Sequence, residues 1–259
     1  MFKKLIVLTQ TYKQKNLTKI AISSVDKFKP KNTDIEYYVI EGSNDMSYKE
    51  AIVDITPGVN WFNNESADSG NPIAGASTAN GLNIEYGKKQ IAKKYKNSNL
   101  DPWVFICHND VAVQSLKFFE YLYEYSSKYG MISCCKDNTR IEACHISGLL
   151  VKNSILQNVN CMPELPGLDV GDKLTLYCRE NNIPYVSLPN THNTPDLYEK
   201  CTGIWQQIGK NSGVDRCIIN DEVIFCHLGR GTPKSLDSYY KQGKVTALGW
   251  ATIHQDYLR

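Results

Sequence analysis

Two short apolar runs, separated by one helix length, constrain this chain more than anything else in it. Leu5-Ile6-Val7-Leu8 and Tyr37-Tyr38-Val39-Ile40 are continuous rather than alternating, the pattern of strands covered on both faces. Between them Leu17, Ile20, Ala21, Ser24 and Val25 recur at three- and four-residue spacing, after Asn16 as a candidate N-cap and before Pro30 as a stop. The pattern predicts a strand over 4–10, a helix over 17–28 and a strand over 37–40. Elements of this size form a βαβ unit, whose strands are parallel and whose crossover is right-handed. The expected fold class is α/β, a mostly parallel central sheet flanked by helices in a single domain.

The same alternation continues. Asp101-Pro102 opens the strongest strand, Trp103-Val104-Phe105-Ile106-Cys107, which ends on His108-Asn109-Asp110. Helices are expected over 81–95, 115–129 and 172–181, and a further one around 197–208. Strands are expected over 131–134, 146–151, 184–188 and 223–227. Residues 63–80, rich in Asn, Ser, Ala and Gly, make a loop of the length that usually carries function.

Composition narrows the partners. The 29 Lys and Arg stand against 27 Asp and Glu, a net charge of +2, without the basic excess of a nucleic-acid or anionic-membrane binder. The lysines at 88, 89, 93, 94 and 96 read as a solvated helix face. The N-terminal apolar run is too short for a membrane span or a signal-peptide core, so a cytoplasmic protein is expected. Nine cysteines, an odd number with no Cys-x-x-Cys, read as reduced, buried small hydrophobes.

In an open parallel sheet, ligands sit beyond the carboxyl ends of the strands. Three expected strand ends here are polar: Gln10-Thr11-Tyr12, Glu41-Gly42-Ser43 and His108-Asn109-Asp110. His108 and Asp110, two residues apart in extended backbone, would face the same way and begin a divalent-metal site. An imidazole ligand favours manganese over magnesium or calcium. His227, at the end of a later strand, is a candidate third ligand. Each of Cys107-His108, Cys144-His145 and Cys226-His227 should bury one member and present the other, which argues against a Cys-His zinc site. Asp169, in the loop before a helix, is a candidate general base. Asp172 reads as the cap or first-turn carboxylate of that helix.

Taken in order, these segments resemble the family 2-like glycosyltransferases of the GT-A fold over about residues 3–232. Leu5 to Tyr12 is similar to their first strand and the turn set against the nucleotide base. Val39-Ile40-Glu41-Gly42-Ser43-Asn44-Asp45 is similar to their hhDxGSxD segment, with Glu41 in place of the aspartate. Ala79-Asn80-Gly81-Leu82-Asn83 resembles the stretch before the metal motif, and Trp103 to Asp110 the strand and DxD motif, read here as His-Asn-Asp. Ser147 to Lys152 resembles the strand near the acceptor. Leu168-Asp169-Val170-Gly171-Asp172 resembles the segment bearing the catalytic base, which leaves Asp169 or Asp172 in that role. Cys226 to Thr232 resembles the histidine and flexible loop that close over the donor.

The resemblance implies an inverting glycosyltransferase that uses Mn2+ or Mg2+ and a nucleotide-sugar donor, most readily UDP-linked. The acceptor would be a glycan, a lipid-linked sugar or a protein. Donor contacts are expected from Gln10, Thr11, Tyr12, Glu41, Asn83, Asn109 and Arg230, and metal contacts from Asp110, His227 and His108. Arg230 or Lys234 would add charge stabilisation to the leaving diphosphate. The nucleotide-sugar half would span 1–112, the acceptor half 113–232, and a mobile loop with the C-terminal tail 229–259. Two alternatives stand beside it. A non-catalytic nucleotide- or sugar-binding relative would suit the thinned His-Asn-Asp motif. A sugar-nucleotide nucleotidyltransferase would need a glycine-rich first loop, and Gln10 to Lys15 has no glycine.

Overall fold

The computed structural model describes residues 2–68, 76–137, 141–164, 166–208, 212–229 and 244–259. The first half runs β1 (Lys4–Thr11), α1 (Lys15–Phe28), β2 (Asp34–Glu41), α2 (Lys49–Val53), β3 (Asn60–Asn63), α3 (Ala76–Tyr95), β4 (Trp103–Ile106) and β5 (Val111–Val113). It continues through α4 (Lys117–Ser126), β6 (Met131–Ser133), β7 (Lys136–Asp137), β8 (Ala143–Cys144), β9 (Leu149–Lys152) and α5 (Asn153–Gln157). The last elements are α6 (Asp172–Glu180), β10 (Tyr185–Ser187), α7 (Ile204–Ile208), β11 (Asp215–Ile219), β12 (Glu222–His227) and α8 (Ala247–Ile253).

Among the described residues, seven strands form the central sheet in the order β10-β6-β9-β4-β1-β2-β3. β1 is parallel to β2 and β4, β2 to β3, and β10 to β6; β9 alone runs against its neighbours. The fold is α/β with a mostly parallel sheet. Leu5 and Val7 pack with Ala21 and Val25 of α1 and Phe118 and Phe119 of α4. Ile6 and Leu8 point the other way, into Ile84 and Ile91 of α3 and Leu174 and Cys178 of α6. Both faces are covered, which is why the run is continuous, and each such side chain contributes about 1.5–3 kcal/mol by burial.

A smaller antiparallel sheet, β11-β12-β5, stands beside the first. Its strands and α1 enclose Trp205 and Trp250 in a third apolar cluster. The chain leaves the main sheet after β4 and enters the small one as β5, so His108-Asn109-Asp110 is the junction of the two.

Several expectations change. Helix α1 starts at Lys15, with Gln14 in the cap position and Asn16 inside the first turn. Its start is fixed by Thr18, whose hydroxyl donates to the Gln14 carbonyl at 2.7 Å and lies 2.6 Å from that of Thr11. The helix expected around 197–208 is a 3-10 turn, Pro195–Lys200, and then α7, because Gly203 takes φ +59° between them. The described part of the expected C-terminal tail holds α8, whose Trp250 is fully buried. All nine cysteines are free and buried, as expected. No helix among the described residues is long and apolar enough to cross a membrane.

Candidate active site

Because β4, β1 and β2 are parallel neighbours, their polar ends share the carboxyl edge of the sheet. At the β4–β5 junction the Leu228 amide donates to the Asp110 carbonyl at 2.8 Å, drawing the end of β12 against residue 110. There His227 Nε2 lies 3.6 Å from Asp110 Oδ2. Strand β11 places Asp215 directly opposite His227, with Nδ1 3.7 Å from Asp215 Oδ2. Burial alone would lower the His227 pKa, but the two carboxylates overcome it and push it up to about 10. Asp215 is held below the usual carboxylate range by His227 despite burial. The His145 ring lies 5.4 Å from that of His227, tilted by 42°. Burial, then the neighbouring His227 and His108, press His145 down to about 3, so it is neutral. Its Nδ1 accepts from the Ser147 amide at 3.2 Å, leaving the proton on Nε2.

Asp110 and His227 are 6% and 8% exposed, and supply one oxygen and one nitrogen. Their 3.6 Å separation is short enough that both could hold one divalent cation. One oxygen and one nitrogen are ligand types that divalent cations such as manganese accept. The residues fit a divalent cation. His108 does not complete the set as expected. Its Nδ1 hydrogen-bonds Ser147 Oγ at 2.8 Å, and burial drives the ring down to about 4. The physical reason is that β4 ends at Ile106 and the chain turns, so the two-residue alternation that would align His108 with Asp110 no longer applies. Among the described residues, no three His, Cys, Asp or Glu side chains converge in ligand geometry.

The remaining rim residues divide into buried struts and presented groups. Glu41 is fully buried and accepts from Tyr48 Oη, from Ser43 Oγ at 2.7 Å and from the Lys13 amide at 3.2 Å. It braces the rim instead of offering its carboxylate to a ligand. Thr11 is also buried and receives the Asn109 amide at 3.3 Å. Gln10 is buried, its amide 3.4 Å from the Leu8 carbonyl, and Asn83 accepts from Asn64 at 2.9 Å. Tyr12 and Asn109 remain half-buried at the edge, with Tyr12 Oη donating to Asp68 at 2.8 Å. Arg230 and Lys234 lie outside the described residues.

Glu41 carries a pH signature. Burial raises its carboxyl above the ordinary value, and its three donors only partly offset that. A raised folded-state value means the contribution to stability is complete below the unfolded value and lost as pH rises through the folded one. Relative to Glu41→Gln, the wild type should therefore lose melting temperature as pH climbs from about 4 towards neutral. Parallel curves for the two proteins would refute this.

Asp169 and Asp172 also part company. Asp172 is buried, and its Oδ2 accepts the Asp169 amide at 2.8 Å, closing the turn before α6. Asp169 is half-buried, bonds the Val170 amide at 2.7 Å, and is close enough to His108 to act on its charge. Sequence reasoning missed Asp215, His145 and Asp68. Asp215 had one signal, the Asn220-Asp221 pair: both residues take positive φ, as a two-residue type I′ hairpin requires.

No known protein family matches the chain, and no curated protein is similar to it in sequence. Solved structures are similar to it in fold. One is a mannosyltransferase from Pyrobaculum calidifontis in complex with GDP-Man and Mn2+, at 13% identity and TM-score 0.48, covering 73% of this chain and 55% of that one. A second is 4-diphosphocytidyl-2C-methyl-D-erythritol synthase, at 9% identity and TM-score 0.47, covering 72% and 88%. A third is glucosyl-3-phosphoglycerate synthase from Mycobacterium tuberculosis in complex with phosphoglyceric acid, at 13% identity and TM-score 0.45, covering 72% and 70%. The chain thus spans about half the length of the mannosyltransferase.

Proposed function

We propose that this protein is a metal-dependent glycosyltransferase of the family 2-like GT-A type, moving a sugar from a nucleotide-diphosphate donor to an acceptor hydroxyl with inversion. One observation carries the reading: a buried carboxylate and imidazole, Asp110 and His227, meet 3.6 Å apart past the end of β4, on the carboxyl edge that it shares with the polar ends of β1 and β2. A divalent cation, manganese before magnesium, would neutralise charge on the leaving diphosphate. Tyr12 and Asn109 line the edge where the nucleotide lies, Tyr12 offering its ring to the base. Asp169 takes the proton from the acceptor oxygen as it attacks the anomeric carbon from the opposite face. Asp172 holds the loop that carries Asp169. The acceptor is a glycan, a lipid-linked sugar or a protein, and its hydroxyl must reach Asp169.

Thermal melting against UDP, GDP, CDP and CMP, each with and without Mn2+, tests the donor site, because a ligand of the native state raises the melting temperature. A shift with one nucleotide that needs manganese is expected, UDP being the first candidate. No shift with any of them would overturn the reading. The two aspartates separate in the same assay and in turnover. Asp169→Asn should keep the nucleotide shift and lose at least about 100-fold in kcat, the usual scale of a general base. Asp172→Ala should cost about 1 kcal/mol of stability through the lost turn. A full-rate Asp169→Asn variant would remove Asp169 from the mechanism.

A second reading, a non-catalytic nucleotide- or sugar-binding relative, is favoured by the thin ligand set: among the described residues no third His, Cys, Asp or Glu side chain joins Asp110 and His227 in ligand geometry. It predicts a nucleotide shift indifferent to manganese and no transfer to any acceptor.

A further inference from the structure

Strand β12 brings His227 to the edge, but an imidazole on a strand end can present either nitrogen. What faces its second nitrogen is set by the β11–β12 hairpin. The turn at Asn220-Asp221 pairs Ile219 with Glu222, and an unbroken register from there would put Asp215 opposite Cys226. The register instead shifts between Cys217 and Ile218, and Asp215 comes opposite His227. A one-residue shift moves a side chain to the other face of a sheet. Arg216, the next residue, is buried elsewhere, its guanidinium 4.9 Å over the Tyr198 ring and bonded to the Val214 carbonyl at 2.8 Å. Asp215 has Oδ2 3.7 Å from His227 Nδ1 and Oδ1 3.8 Å from His192 Nδ1. The two nitrogens of His227 therefore face two carboxylates, Asp215 at Nδ1 and Asp110 at Nε2.

Resting on the reading of Asp110 and His227 as a cation-binding pair, we infer that Asp215 is the positioning residue of that site: it holds the proton on His227 Nδ1 and so aims the Nε2 lone pair at a divalent cation shared with Asp110. A ligating histidine needs an acceptor at its other nitrogen to fix tautomer and ring orientation, and loss of such an acceptor typically weakens metal affinity 10–100-fold. Asp215 reaches no cation itself; it acts through His227.

The test is a titration of Mn2+, followed by the loss of its free-ion electron paramagnetic resonance signal, with and without UDP, GDP or CDP. Wild type, Asp215→Asn and Asp110→Asn are compared. Asp215→Asn should bind Mn2+ about 10–100-fold more weakly than wild type, and Asp110→Asn more weakly still. Asp215→Asn within twofold of wild type, with Asp110→Asn impaired, overturns the inference and leaves the cation site standing. Wild type without Mn2+ binding, or Asp110→Asn equal to it, overturns the site and the inference together. Should Asp215→Asn fail to fold, the wild type with diamagnetic Zn2+ decides by imidazole 15N spectroscopy. A protonated Nδ1 and metallated Nε2 on His227 are expected, and a metallated Nδ1 overturns the assignment.

Discussion

Asp110→Asn is expected to abolish the manganese-dependent stabilisation by nucleotide and reduce transfer to background, while leaving the fold intact. The amide matches the carboxylate in shape, so the Leu228–Asp110 backbone bond that docks β12 at 2.8 Å should survive. What is lost is the single anionic oxygen ligand beside His227 Nε2. Outer-shell partners of metal ligands are worth about 10–100-fold in affinity, so the ligand itself should exceed about 100-fold. Loss of the negative charge should also let the His227 pKa fall from about 10, since Asp110 is the largest influence raising it. Melting curves with saturating nucleotide and a Mn2+ series check this. A variant with an unchanged manganese requirement would show that the cation sits elsewhere.

Gly148→Val should be the most damaging single change in the fold. Gly148 links β9 to the site, donating to the Ile106 carbonyl and accepting from the Cys134 amide, both at 3.0 Å. It does so at φ +76°, where a side chain costs about 1–2 kcal/mol. A β-carbon there would lie 2.5 Å from Phe225 Cζ and 3.0 Å from Cys134 Sγ. Phe225 has nowhere to go, being buried and stacked on Phe118 at 5.1 Å. Overpacking of this kind typically adds about 1–3 kcal/mol. Together that predicts a loss of about 2–5 kcal/mol and a melting temperature lower by on the order of 10 °C. Because Ser147, the next residue, hydrogen-bonds His108, nucleotide binding should weaken with it. A Gly148→Val protein that melts like wild type would mean that the β9–β12 contact is looser than these distances.

The sequence was legible wherever burial on both faces wrote an unbroken apolar run. That pattern located β1, β2 and β4, the parallel pairing of the first two, and the polar strand ends carrying Gln10, Glu41 and Asp110; the order β4-β1-β2 came from the tertiary structure. It was silent for β3, β5 and β11, because Asn60-Trp61-Phe62-Asn63, Val111-Ala112-Val113 and Asp215 to Ile219 are too short or too mixed to show a period. Among the site residues, type and position in sequence found Asp110 and His227, but not which polar groups would be consumed by the protein. Glu41 and Asp172 look as available as Asp169 on paper. Each is buried and bonded to neighbours, a distinction that depends on partners such as Tyr48 that nothing nearby in the chain announces.

What the sequence determined by itself is the class of fold and the edge where chemistry collects, because both follow from local patterns: apolar runs, helical spacing, and polar residues where strands end. What only the tertiary structure decided is the composition of the site. His227 meets Asp110 because a second sheet folds back onto the end of β4. Asp215 meets His227 because one irregularity in the β11–β12 ladder shifts the register by a residue. Register is a property of two strands packed together, set by turn, bulge and neighbouring core, and no single stretch of chain encodes it.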